Sequence, residues 1–310
     1  MCDAHHHVFP DVARPPSDSR YLLTELLEDI GDLNVTKTVV VETAMMNAGK
    51  NAGAPVRETD LVEAIGRECE EKQGARIRVA AGFVGYVDLT LGETVAPLIE
   101  AHLATSDRLR GVRHIATWDE SSDIFSAAPR HLLLDSRFRE GFVCLGTYGL
   151  SFDALVYHPQ LPDVVDLASA FPGTRIILEH TGCPLGAGIY AGEQQRAFDE
   201  WCENMAAVAA CPNVVVKLGG LGMPTTGCDW SRRSTPPEAA EMAEAMAPYI
   251  LYCIGMFGPD RCMFESNFPV EKVACSYPAL WRAFEQVVAD RTYEERMGLF
   301  YRTACSVYRV

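Results

Sequence analysis

The stretch Arg175-Ile176-Ile177-Leu178-Glu179-His180-Thr181-Gly182-Cys183-Pro184 is an apolar run that stops abruptly at a histidine. Gly182 and Pro184 break the chain at once, so the run reads as a short strand with His180 at its C-terminal end. The same pattern recurs along the chain. Comparable runs occupy residues 2–8, 36–43, 77–84, 111–117, 150–157, 213–218 and 261–267, which with 175–180 makes eight. The segments between them are long enough for a crossover helix. They carry apolar residues three and four apart: Leu22, Leu23, Leu26, Leu27 and Ile30 in the first, then a weaker stripe through Leu61, Ala64, Ile65 and Cys69. Further stripes run through Val95, Leu98, Ile99, His102 and Leu103, and through Val164, Leu167, Ala168 and Phe171. Pro162 suits the first turn of that last helix and Pro172-Gly173 its end. Thr292 and Glu295 have capping-box spacing ahead of a closing C-terminal helix.

Eight β/α alternations imply a parallel sheet, and that number implies closure. The expectation is a single (β/α)₈ barrel spanning residues 1–310, of the distorted TIM type. A doubly wound open sheet is the structural alternative. In the barrel, the loose insertion GGLGMPTTGCDWSRRSTPP at 219–237 follows the seventh strand and lies over the catalytic face. NAGKNAGAP at 47–55 reads as a similar loop after the second strand.

Composition narrows the function. Hydrophobic residues make up 48% and charged residues 22% of the 310, an ordinary globular balance. The net charge is −15, from 27 basic and 42 acidic residues, and no Lys/Arg block is present. Nucleic acid and anionic membrane are therefore disfavoured as partners, since phosphate binding needs a positive stripe. No stretch approaches the ~18 uninterrupted apolar residues of a membrane span. Neither is a signal peptide readable, so a cytoplasmic protein is expected. The eleven cysteines form no CxxC pair and read as reduced core thiols, Cys183 being the one close to a candidate catalytic residue. Oligomeric state is left open between a monomer and a homo-oligomer.

The chemistry concentrates at strand ends. In Asp3-Ala4-His5-His6-His7-Val8-Phe9, alternate residues of a strand share a face, so His5 and His7 project together while His6 points away. Two imidazoles side by side can ligate a metal, polarise a carbonyl or relay protons. The competing readings are a purification-tag remnant, which would be longer, and satisfied core histidines, which suits His6. His180 adds a third imidazole from a distant strand. In Cys262-Met263-Phe264-Glu265-Ser266-Asn267-Phe268-Pro269, the same alternation puts Glu265 and Asn267 on one face. Glu265 as a buried partner for an arginine is the structural alternative.

These motifs together resemble the amidohydrolase superfamily, in particular the amidohydrolase-related branch with its pyrone-dicarboxylate and sugar-lactone hydrolases. The resemblance runs from DAHHHVF through RGVRH, EHTGCP and NVVVKLGGL to GPDRCMFESNFPV. It implies that His5 and His7 match the strand-one pair, His180 the strand-six histidine, and Arg113 an arginine set against the substrate's carbonyl or carboxylate. One position departs from the family. Where relatives end the eighth strand with an aspartate in S-D-[FW]-P, this chain has Asn267. An amide has no basic lone pair near neutral pH and cannot replace that base. Glu265 and His180 are the substitutes.

Two mechanisms follow for a hydrolase of a small carbonyl compound, a lactone first. In one, His5, His7 and His180 hold a single Zn²⁺ with an open position. In the other no metal takes part; the histidines and Arg113 polarise the carbonyl while Glu265 or His180 deprotonates water. Arg232 and Arg233 in the 219–237 insertion are candidates for clamping a substrate carboxylate, and an exposed solvated pair is the alternative. Trp118 and His158 are further candidates for binding substrate, and Glu42, Tyr157 and Lys217 lie near strand ends. Other readings on this scaffold are a metal-dependent amide hydrolase, an aromatic-acid decarboxylase, and a small-molecule-binding relative that has lost turnover.

Overall fold

The computed structural model describes residues 1–10, 20–43 and 54–310. The stretch 47–55 thus lies outside the described residues, except for its last two, where a helix begins. The eight expected strands are all present: β1 (Cys2–His6), β2 (Lys37–Val41), β3 (Arg78–Tyr86), β4 (Leu109–Ile115), β5 (Ser151–Leu155), β6 (Ile176–Leu178), β7 (Val214–Leu218) and β8 (Cys262–Phe264). They form one parallel sheet in sequential order. A helix follows each strand: α1 (Leu23–Ile30), α2 (Ala54–Gln73), α3 (Ala96–Thr105), α4 (Ser136–Thr147), α5 (Leu161–Ala170), α6 (Gln194–Ala209), α7 (Ala239–Phe257) and α8 (Tyr277–Val287). This is a (β/α)₈ barrel. Pro162 sits in the first turn of α5, and Thr292 and Glu295 form a reciprocal capping box ahead of the C-terminal helical segment.

The seam between β1 and β8 closes by an isolated parallel bridge rather than a ladder, His6 pairing with Phe268. A side chain completes it. The Asp3 carboxylate accepts from the Ser266 N–H at 2.9 Å, the Ser266 hydroxyl at 2.6 Å and the Tyr277 hydroxyl at 3.0 Å. Burial pushes this carboxyl up to about 6, with those donors opposing the shift.

Strand alternation divides the core. Val214, Val216 and Leu218 pack outward with the helices in the large cluster, whereas Val215 joins Ala4, Val39, Val41, Val84, Ile177 and Met263 inside the barrel. The C-terminal segment caps this interior with Ala304, Val307 and Tyr308. On β1 the register shifts between Asp3 and His6. The shift resets the alternation, so that after Cys2 and Ala4 the His5 and His7 rings also meet inside.

Strand ends differ from the sequence reading at two places that matter. β6 stops at Leu178, two residues short of His180, and β8 stops at Phe264, so Glu265 and Asn267 lie beyond the regular strand. The reason is conformational. His180 and Asn267 both have left-handed backbone, φ 54°. Asn267 therefore does not owe its direction to period-two alternation with Glu265; a bend tied to Asp3 sets it.

Candidate active site

Three imidazoles from two strands meet at the C-terminal end of the barrel. His5 Nε2 stands 3.1 Å from His7 Nε2, and the His5 and His180 ring centroids are 4.8 Å apart. His6 turns away to the Thr38 hydroxyl at 2.8 Å, and burial lowers its pKa to about 3, so it is a neutral structural residue.

The partners of each ring fix its free nitrogen. His7 donates from Nδ1 to the Val41 carbonyl at 2.8 Å, which leaves Nε2 as an acceptor toward His5. Burial, reinforced by His5 and Arg113, holds His7 well below the usual imidazole range, so it is neutral. His180 faces Glu265 Oε1 through Nδ1 at 2.7 Å, and its backbone N–H donates to the same oxygen at 2.9 Å. Burial alone would lower the His180 pKa, but the Glu265 carboxylate outweighs it and the net shift is upward. Glu265 in turn, despite burial, is held well below the ordinary carboxylate range by His180 and His5. His5 Nδ1 lies 2.9 Å from Glu265 Oε2 and 3.1 Å from Glu179 Oε1. Glycine makes room for this pairing. Gly220, at φ 70°, runs so close to His180 that an added Cβ would collide with its side chain.

Beneath the histidines lies a fully buried charged layer. Lys217 Nζ donates to Asp153 Oδ2 at 2.7 Å and Glu179 Oε1 at 3.2 Å, and Tyr308 donates to the same Asp153 oxygen at 2.7 Å. Arg113 donates from Nε to Glu42 Oε1 at 2.6 Å, from one terminal nitrogen to Glu179 Oε2 at 3.2 Å, and from the other to the Glu42 carbonyl. Burial opposes charge on Glu179, yet His5, Arg113 and Lys217 keep it well below its ordinary value and therefore ionised.

Above this layer opens a cavity of about 310 Å³. His7, His180, Arg113 and Asn267 line it, with Thr43, Thr117 and Thr225. Most of the remaining wall is apolar. Asn267 Nδ2 is buried and faces the buried Glu271 carboxyl, and its second N–H is left for an incoming oxygen. Cys183 also reaches the cavity, but burial pushes its thiol well above the ordinary value, which disqualifies it as a thiolate nucleophile. All eleven cysteines are unpaired.

The candidate metal ligands differ by one member from the expected His5, His7 and His180. Among the described residues, the ligand atoms lying mutually within 4.8 Å belong to His5, Glu179 and His180. Glu179 enters because it falls two residues after the interior Ile177, which turns its carboxylate inward. The donor set suits a divalent ion on two further counts. The 3.1 Å between the His5 and His7 Nε2 atoms approaches the ~3.3 Å expected of two nitrogens on one tetrahedral zinc. Each ring's other nitrogen is backed by a carbonyl or carboxylate, as ligating histidines require. Charge agrees too: Glu42, Asp153, Glu179 and Glu265 outnumber the permanent cations Arg113 and Lys217.

Four expected substrate contacts lie elsewhere. Arg232 and Arg233 are exposed, Arg233 pairs with Asp229 at 3.0 Å and with Glu241, and neither lines the cavity. Their loop instead contributes Met223 and Thr225. Trp118 is half-buried beneath the Arg130 guanidinium, and His158 is a buried ring whose Nδ1 accepts the Leu185 N–H at 3.1 Å. Burial holds His158 at about 4. Two residues of the charged layer, Glu179 and Asp153, had no role in the sequence reading. The available signal was a carboxylate within or just after an otherwise apolar parallel strand, in FDAL and IILEH.

Comparison with known proteins agrees with this geometry. A family model described as amidohydrolase matches residues 2–310. The uncharacterized protein y4mH of Sinorhizobium fredii is 30% identical over 94% of this chain and 86% of its own length. An L-fucono-1,5-lactonase of Burkholderia multivorans is 30% identical over 77% of this chain and 73% of its own. A crystal structure of a Burkholderia multivorans amidohydrolase with bound zinc superposes with a TM-score of 0.77 at 26% identity, covering 100% of this chain and 99% of that one.

Proposed function

The chain belongs to the amidohydrolase family and is a hydrolase, and from that premise we propose that it opens the ring of a lactone by attack of water on the carbonyl. The observation that carries the reading is the cavity wall itself: an imidazole backed by a carboxylate faces the same small space as two hydrogen-bond donors.

His180 is the general base. Glu265 holds its Nδ1, leaving Nε2 for the proton of the attacking water, and the paired carboxylate stabilises the imidazolium that forms. The same proton then passes to the ring oxygen as the ester bond breaks. Arg113 and the Asn267 amide are placed to donate to the carbonyl oxygen as it gains charge. Asn267 is thus a donor where the family resemblance implies a base, and His180 takes the base's work. His5, His7 and Glu179 are the residues that would hold a single divalent ion while His180 Nε2 stays free as the base; an ion ligated by His180 as well would occupy that nitrogen. Such an ion, when bound, supplies Lewis acidity and lowers the pKa of water toward about 7. The lactonase name carried by the Burkholderia relative supports a cyclic ester over an amide.

Proton release on ring opening of a panel of δ- and γ-lactones, before and after chelator dialysis and zinc return, tests the reading. Turnover of at least one lactone class and no cleavage of matching cyclic amides is expected. Cleavage of amides alone would overturn it.

A further inference from the structure

The cavity has a chemical character that its catalytic groups do not require. Phe9, Ile115, Leu155, Met223 and Val270 form an apolar part of its wall, contributed by strand ends and the loops that follow them. Phe125 completes the wall although it is 76% exposed, the most exposed large apolar residue among those described. Its position is held: Tyr157, another lining residue, donates its hydroxyl to the Phe125 carbonyl at 2.8 Å. A large aromatic fixed at the mouth of a catalytic cavity and left open to solvent has a reason to be there if something apolar covers it.

The polar groups lead to the same conclusion. Arg113 is the only permanent cation on the wall among the described residues, and all three of its nitrogens already donate to Glu42 or Glu179. It can spare a hydrogen bond for a carbonyl oxygen but no net positive charge for a carboxylate. The surrounding layer holds more buried carboxylates than permanent cations, on a chain of net charge −15. Arg113 and Lys217 are committed to those carboxylates, and the divalent ion that the cluster would hold only balances the remainder, so an anionic substituent meets no uncommitted side-chain cation among the described residues of the wall. A ring carrying several hydroxyls would set those that face Phe9, Ile115, Leu155 and Val270 against hydrocarbon, where each unpaired group is penalised.

We infer that this site selects a neutral lactone bearing an alkyl or aryl substituent, with Phe125 as the residue that grips the substituent. The inference rests on the reading of this cavity as the lactone site, and it departs from a polyhydroxylated or carboxylated ring. The substituent packs against Phe125 and Met223 while the carbonyl reaches Arg113 and Asn267. The 310 Å³ volume, at the small end for ligand sites, admits one ring and one substituent of about phenyl size.

Binding of slow-reacting analogues tests this without depending on turnover. A phenyl-substituted δ-lactam, a trihydroxylated δ-lactam and a δ-lactam carboxylate are titrated against the whole protein by calorimetry. The phenyl compound is expected to bind on the order of 10²-fold tighter than either other, the discrimination a hydrophobic pocket achieves against a single added hydroxyl. Phe125→Ala should lower its affinity about tenfold, as loss of an aromatic contact does, while Phe125→Leu recovers part of it. A tighter hydroxylated or carboxylated ligand, or an unchanged affinity in Phe125→Ala, would overturn the inference. The two readings fail separately. Phenyl-lactam binding with no lactone opened by the native enzyme leaves the selectivity and removes the hydrolysis. Lactone opening with hydroxylated rings preferred does the reverse.

Discussion

Glu265→Gln isolates the charge behind the proposed base from the shape that holds it. Glu265 Oε1 accepts both the His180 Nδ1–H and the His180 backbone N–H, at 2.7 and 2.9 Å. A glutamine carbonyl can keep both bonds. Its amide nitrogen would then face His5 Nδ1, 2.9 Å from Oε2 at present, and His5 can accept by carrying its proton on Nε2 toward His7. The fold should therefore survive with little change. Catalysis should not, because the negative charge that stabilises an imidazolium at His180 is gone. A hydrogen bond to a charged group contributes about 1.5–3 kcal/mol. Where that charge forms in the transition state, the upper end corresponds to roughly 10²-fold in kcat. The pH profile supplies a second readout with a fixed sign. Glu265 raises the His180 pKa against burial, so without the charge burial prevails and the pKa falls. The acid limb of kcat/KM, which reports His180 losing its proton, should move to lower pH. Lactone turnover from pH 5 to 9 with thermal melting in parallel measures both effects. A kcat within about fivefold of native, or an acid limb that stays in place, would refute the assignment.

Other perturbations follow from the same contacts. Asn267→Ala removes an amide donor from the cavity wall, and kcat should fall about 10²-fold with KM little changed, as read by steady-state kinetics. Gly220→Ala places a methyl group against the His180 side chain at a positive φ, so activity should drop sharply while the fold, followed by circular dichroism, persists at lower stability. Asp3→Ala removes the acceptor shared by four buried donors at the β1/β8 seam, the His5 and Ser266 N–H groups and the Ser266 and Tyr277 hydroxyls, of which only the Ser266 hydroxyl has another acceptor at hand, and denaturant unfolding should show a loss of roughly 3–5 kcal/mol. Metal analysis of untagged protein should find about one divalent ion per chain, and chelation should lower the melting temperature and activity together; full activity in metal-free protein would assign the surplus buried charge to protonated histidines instead.

The eight strands were legible because each is a short apolar run closed by Gly, Pro or a polar residue, and sequential parallel order followed from the helices between them. The His-x-His pair was legible as well, because the β1 register shift falls ahead of His6 and leaves the alternation from His5 to His7 intact. Strand ends were not. Left-handed backbone at His180 and Asn267 cannot be read from the apolar runs that precede them, so the sequence pattern runs past the true ends of β6 and β8. Glu179 and Asp153 escaped because a lone carboxylate in or just after an apolar strand carries no sign of whether it faces inward, and only closure of the barrel brings it to Lys217. Arg232 and Arg233 stand off the cavity wall for the opposite reason: a loop of nineteen residues, 219–237, offers many routes, and Asp229 and Glu241 pair with Arg233.

What binds these results together is a base made from His180 and its carboxylate at the mouth of a closed barrel. The most direct test is His180→Asn, which retains a polar side chain of similar reach but no basic nitrogen. With melting behaviour close to native, lactone turnover at least 10²-fold below native is the predicted result. Turnover within a fewfold of native would contradict the account and move the chemistry to another residue.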